Sequence, residues 1–205
     1  MRKPLFMMAM LLPLSAMAQV FGVQSIEKVT LPNENEVVAN ISPDGNSLLL
    51  TTGNNQGLKS YNLSTGKTVV LTNSEGAGYD AHYAADGSMV MFRETSYTPK
   101  HLRMTSLNSV DLNTGDKHVL QTATRHLQGV QLNGNSATVV NKGKARARAL
   151  NGRKAKATPV LSIDNRQLML TKGSKTSVLS PNGTQFSYIW PSLSPDGQKV
   201  LYYVC

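Results

Sequence analysis

Cysteine is nearly absent from this chain: its one thiol, Cys205, is the last residue. A disulfide needs two, so no internal bridge can form, and metal clusters built on several cysteines are excluded. Aromatic residues make up only 6% of the sequence, with a single tryptophan, and charged residues only 16%. Acids are the scarcer charge, 12 Asp and Glu against 21 Lys and Arg. They fall mostly in turns, and no two are spaced convincingly for general acid–base work. The four histidines, His82, His101, His118 and His126, form no His-x-x-x-His pair and have no glutamate in a zinc-protease pattern. There is no Gly-x-Ser-x-Gly elbow, no P-loop and no EF-hand loop. "EGAGYD" (75–80) lacks the third glycine and the following helix of a dinucleotide fingerprint. No catalytic residue, metal site or cofactor is expected from these residues.

Long apolar runs are also missing, with one short exception. Arg2 and Lys3 precede "LFMMAMLLPL" (5–14), which is too short to span a bilayer as a stable helix. Ala16 and Ala18 then supply small residues at the −3 and −1 positions. The pattern predicts a secretory signal over 1–18, cleaved before Gln19, with an uncleaved anchor helix as the alternative. The mature chain is therefore expected to be periplasmic or secreted, and not an integral membrane protein.

What is abundant is repetition. "SPDG" occurs at Ser42–Gly45 and again at Ser194–Gly197. Four units align on Gly45, Gly87, Gly134 and Gly197. Four residues before these glycines stand Ile41, Tyr83, Val130 and Leu193. Three and five residues after them stand Leu48 and Leu50, Val90 and Phe92, Ala137 and Val139, and Val200 and Tyr202. Apolar residues at period two on both sides of a tight turn predict a hairpin with one buried face. Proline pre-sets φ, aspartate bonds the local backbone, and glycine takes the left-handed position. Asp44, Asp86 and Asp196 are accordingly expected to form turns rather than act as catalytic acids or metal ligands. A second hairpin aligns on Gly66, Gly115 and Gly173, each preceded by a leucine: Leu63, Leu112 and Leu170. Its outer strands run to Leu71, Leu120 and Leu179.

Two hairpins per unit give four strands, and four short strands every 40–60 residues are the sequence form of a β-propeller blade. The expected fold is all-β, a propeller of four-stranded antiparallel blades at about 36–72, 79–121 and 127–180. A partial blade follows at 187–205. A β-sandwich is the alternative. "IEKVTLP" (26–32) is read as a strand that would close the ring. With about three and a half blades present, 1–205 is expected to be part of a longer propeller. A four-bladed ring or one completed by a second copy is the less favoured reading.

An "SPDG" turn with an alternating strand, then a "D/N-L-x-T-G-K" turn, resembles the TolB-like, WD-repeat-related bacterial β-propellers. The resemblance extends over about 26–205. Ala84-Ala85 in the second unit and the missing Pro-Asp in the third depart from it. It implies a protein-binding or scaffold role in the cell envelope, toward a protein partner. The alternative is the propeller portion of an exported hydrolase of the prolyl-peptidase type or of a polysaccharide lyase.

One stretch stands out by charge. Lys142, Lys144, Arg146, Arg148, Arg153, Lys154 and Lys156 follow one another with no acid between them. Outside this stretch and the first 18 residues, acids and bases balance, so the basic pI is a local property. "ARARAL" alternates and Asn151-Gly152 suits a hairpin turn. The segment is expected to protrude as a basic ribbon inserted in the third unit. A plain soluble hairpin is the bland reading. The functional one is contact with an acidic partner, an anionic glycan or a charged surface. Nucleic acid is not expected, since no aromatics interleave to stack on bases. Trp190, just before the fourth turn, is expected to pack between blades, with ligand stacking as the lesser alternative.

Overall fold

The computed structural model describes residues 26, 28–180, 186–194 and 197–204, with the Trp190 side chain excluded. The chain divides into two compact units, 1–31 and 32–205. The predicted signal, Asp196 and the Trp190 side chain lie outside what is described. Residues 28–32 carry no strand, so the expected ring-closing strand is not formed there.

The described residues of unit 32–205 form five antiparallel sheets in chain order. The first holds β1 (Glu36–Ile41), β2 (Ser47–Thr52), β3 (Leu58–Asn62) and β4 (Thr68–Thr72). The second holds β5 (His82–Tyr83), β6 (Met89–Tyr97), β7 (Arg103–Asp111) and β8 (Lys117–Thr124). The third holds β9 (Leu127–Asn133), β10 (Ser136–Asn141), β11 (Lys144–Ala149) and β12 (Lys154–Ala155). The fourth holds β13 (Val160–Asp164), β14 (Gln167–Lys172) and β15 (Lys175–Val178). The last pairs β16 (Tyr188–Leu193) with β17 (Val200–Val204). Within each sheet consecutive strands are neighbours, and no helix occurs among the described residues. The chain is all-β, with several four-stranded antiparallel blades.

The stretch 127–180, expected to be one blade, is two sheets. The third sheet turns at Lys142-Gly143, with φ of 51° and 70°, and the fourth at Asn165-Arg166, with φ of 47° and 60°. Both central residues are left-handed in each turn, which is the requirement of a type I′ hairpin. The basic stretch is therefore not an insertion. It supplies β11 and β12, the outer strands of the third blade.

The "SPDG" hairpin shows how its letters act. Gly45 has φ 73° and its N–H bonds the Ser42 carbonyl at 2.9 Å. The Asp44 carboxylate accepts from the Ser42 hydroxyl and from the Asn46 N–H at 3.0 Å. The Ser42 hydroxyl oxygen accepts from the Ser47 N–H at 2.8 Å. The second copy repeats this: Gly197 N–H bonds the Ser194 carbonyl at 2.8 Å, and Lys199 N–H bonds Ser194 Oγ at 2.9 Å.

Period two distributes the core. On β6, Val90 and Phe92 join Leu49, Leu58 and Leu71 of the first sheet. The intervening Met89 and Met91 join Ala137, Val139 and Leu150 of the third. One strand thus feeds two inter-blade cores, as a sheet sandwiched between two others demands. Leu161, Leu168 and Tyr188 link the fourth and last sheets. Ile41, Leu179 and Tyr202, expected in buried faces, are 55%, 44% and 43% exposed. Each lies on or just beyond an edge strand, β1, β15 or β17, where sheet neighbours cover one side only.

Candidate functional site

Strand β11 alternates exposed and half-buried along Lys144-Ala145-Arg146-Ala147-Arg148-Ala149. Its register with β10 sets Arg148 opposite Ala137 and Arg146 opposite Val139. Ala137 and Val139 belong to the core shared with the second sheet. Cross-strand partners share a face, so Lys144, Arg146 and Arg148 lie on the side of the third blade that looks toward β8. The alternate alanines lie on the side toward the fourth sheet, where the Ala145 N–H bonds the Gly173 carbonyl at 2.7 Å. Alternation thus sets the charged side chains of β11 toward β8.

Between β8 and β11 runs a groove. One part, of about 490 Å³, has Val119–Thr122 on one wall and, on the other, Arg146, Arg148 and Lys154 interleaved with Ala145, Ala147 and Ala155. The next, of about 350 Å³, adds Lys142 and Lys144 and shares Gln121 and Arg146 with the first. Five of the seven basic residues line this groove. Arg153, in the β11–β12 turn, and Lys156, beyond β12, line neither part. The segment does not protrude as a free ribbon: a Cβ placed at its tip, Gly152, would meet the His118 side chain at 3.5 Å. None of the seven pairs with a carboxylate among the described residues. Arg148 is positioned by its own turn, donating from Nη1 to the Gly152 carbonyl at 3.1 Å.

A second cluster went unforeseen. Asn40 Nδ2–H donates to His82 Nδ1 at 3.1 Å, which puts the imidazole proton on Nε2. That N–H donates to Asp80 Oδ1 at 3.0 Å, and Arg93 donates to Asp80 Oδ2 at 2.7 Å. The Arg93 guanidinium lies 5.2 Å from the centre of the Tyr79 ring. Burial raises the Asp80 pKa, but the bonds from His82 and Arg93 outweigh it and hold the carboxyl below its ordinary range. Both imidazole nitrogens and both carboxylate oxygens are engaged, so neither group is left as a free base. The cluster locks the first sheet to the second. In sequence, only the Asp80–His82 spacing hinted at it. Asn40 and Arg93 arrive through strand pairing.

The other histidines do not converge. His101 sits exposed in the β6–β7 turn at φ 55°, and no group of three metal-ligating side chains occurs among the described residues. The turn aspartates serve locally. The Ser42 hydroxyl and the Asn46 amides hold the Asp44 carboxyl below the usual range. The Ser88 N–H and hydroxyl do the same for Asp86. The remaining turn glycines, Gly66, Gly87, Gly115, Gly134 and Gly173, all have φ between 58° and 79°.

No protein-family model matches the chain, and no curated protein matches it. Solved structures do. The tricorn protease aligns at 9% identity over 80% of this chain and 24% of its own, with a TM-score of 0.52. Together with the succession of sheets, this decides the fold. The chain has the fold of a partial β-propeller. TolB from Acinetobacter baumannii aligns at 17% identity over 78% of this chain and 46% of its own, TM-score 0.45. The oligogalacturonate lyase from Vibrio parahaemolyticus aligns at 14% over 83% and 46%, TM-score 0.47. The propeller chain spans less than half the length of each of these three proteins. At 9% identity the likeness to the tricorn protease speaks for the fold alone and assigns no reaction.

Proposed function

We propose that this propeller is an exported binding module of the cell envelope that holds an anionic partner in the groove between β8 and β11. The observation that carries the reading is the groove's lining. Lys142, Lys144, Arg146, Arg148 and Lys154 face one concavity without a compensating carboxylate among the described residues. Unneutralised cations held along a strand attract an anion at the cost of little reorganisation. The rigid blades supply the scaffold. Export follows from the signal pattern at 1–18, and the TolB-like form of the repeat favours a scaffold role over catalysis.

The test is retention on a sulfated polysaccharide matrix eluted by a salt gradient. The parent is expected to elute well after a variant carrying R146Q, R148Q and K154Q, and the gap should close as salt screens the contact. Co-elution of the two at low salt would refute the reading.

A further inference from the structure

We infer that the partner of this groove is an extended acidic peptide segment that adds as a fifth strand to the free edge of β8. The inference rests on the proposed function and specifies it.

Three observations converge. First, β8 is the last strand of the second sheet, hydrogen-bonded to β7 alone. No backbone bond from Val119–Thr122 to any strand but β7 is made among the described residues. The one local substitute is the Gln121 side-chain amide, which donates to the Thr122 carbonyl at 3.0 Å. An edge of this kind is a template for a further strand. Second, this edge is lightly guarded in composition, although its pairing with β7 shifts register twice, between Thr105 and Leu107 and between Leu107 and Asn108. Val119 is 57% exposed, and between Lys117 and Arg125 the strand has no charge and no proline. Third, the charge that guards elsewhere is set across the groove, on the neighbouring blade.

The spacing selects the occupant. Lys144, Arg146 and Arg148 are alternate residues of one strand, so their Cα atoms step by about 6.6–6.8 Å. An extended peptide presents alternate side chains at the same step. Acids at every second position of an added strand would therefore meet the cations one for one, with the intervening residues facing away from β11. Arginine, whose planar fork matches a carboxylate, holds two of the three places. A glycan polyanion shares the charge but has no N–H groups to complete the ladder of β8.

The probe is a fluorescent, end-capped peptide that alternates glutamate and threonine, titrated by anisotropy at low salt. Three comparators accompany it: the same composition with its glutamates consecutive, the alternating peptide N-methylated at every second residue, and heparin. The alternating peptide is expected to bind at least about tenfold more tightly than either peptide comparator, because only it offers both ladder and register. R146Q/R148Q, which keeps the stem length, is expected to weaken it by about tenfold or more. Hydrogen exchange at Val119–Thr122 is expected to slow when the peptide binds. Equal binding of the N-methylated peptide, or unchanged exchange on β8, would overturn strand addition. Heparin binding without peptide binding would overturn the inference and leave the proposed function standing. Binding of neither would remove both.

Discussion

Gly78 is the residue on which the packing of the first blade against its following loop depends most sharply. A Cβ placed there would lie 2.2, 2.4 and 2.5 Å from Thr51 Oγ1, Cγ2 and Cβ. Ordinary contact is about 3.5–4.0 Å, so Gly78→Ala is over an ångström too close to three atoms at once. Rotating Thr51 about χ1 moves Oγ1 and Cγ2 but leaves Cβ in place. Thr51 is held in β2 opposite Val37, and the Gly78 N–H is bonded to the Asn55 carbonyl at 3.2 Å. Relief therefore requires the 75–81 loop to lift from the sheet. Lifting the loop breaks that Gly78–Asn55 bond. Overpacking costs about 1–3 kcal/mol, and the lost bond about 1 kcal/mol. Gly78 is not among the residues at positive φ. Alanine there gains about 0.4–1 kcal/mol from the unfolded chain. The net is a loss of about 2–3 kcal/mol, or about 4–12 °C in melting temperature for a unit of this size. Urea unfolding of G78A, T51G and T51G/G78A measures it. With Thr51 reduced to glycine all three clashing atoms vanish, so G78A should then cost nothing, and the coupling should reach about 2 kcal/mol. A G78A variant within about 0.5 kcal/mol of the parent, or the same cost in both backgrounds, would refute the packing argument.

Two further outcomes follow from the links between the first and second sheets. Glu94 accepts from Thr72 Oγ1 at 3.0 Å, Ser74 Oγ at 2.8 Å and Asn108 Nδ2 at 2.9 Å. Glu94→Ala strips the acceptor from three part-buried donors and should cost about 2–4 kcal/mol in chemical denaturation; a neutral result would show the network to be idle. Asp80 is held below its unfolded pKa, so its contribution is full above the ordinary carboxylate range and vanishes as pH falls through the folded value. The stability gap between the parent and Asp80→Asn should be constant near neutrality and shrink below about pH 4. A gap that persists unchanged in acid would remove the ion-paired assignment.

The blade plan was legible because its turns are chemically loud. Gly45 and Gly87 announce a left-handed residue after an aspartate, and period two beside them names the buried positions. The third unit misled because one hairpin has a quiet turn. Asn165-Arg166 reverses the chain with an arginine at φ 60°, a conformation that side chain rarely adopts. Nothing in the letters Asp-Asn-Arg-Gln proclaims it. Asn141-Lys142-Gly143 was readable as a type I′ turn. An alignment on Gly173 spans it and merges two blades into one.

The same quiet turn conceals the groove in the sequence. With the basic stretch taken as an insertion, its alternation suggested a ribbon charged on one face and free on both. Once Lys144–Ala149 is the third strand of its own blade, each face has a neighbour. Alanine faces the fourth sheet, where β11 packs on β14, and arginine faces the edge of β8. The charge was visible in sequence, but the surface opposite it was not, because Val119–Thr122 is uncharged and lies on a different blade. Sequence shows which residues carry charge. What that charge can hold depends on the strand facing it, and here that is an edge with backbone groups still to pair.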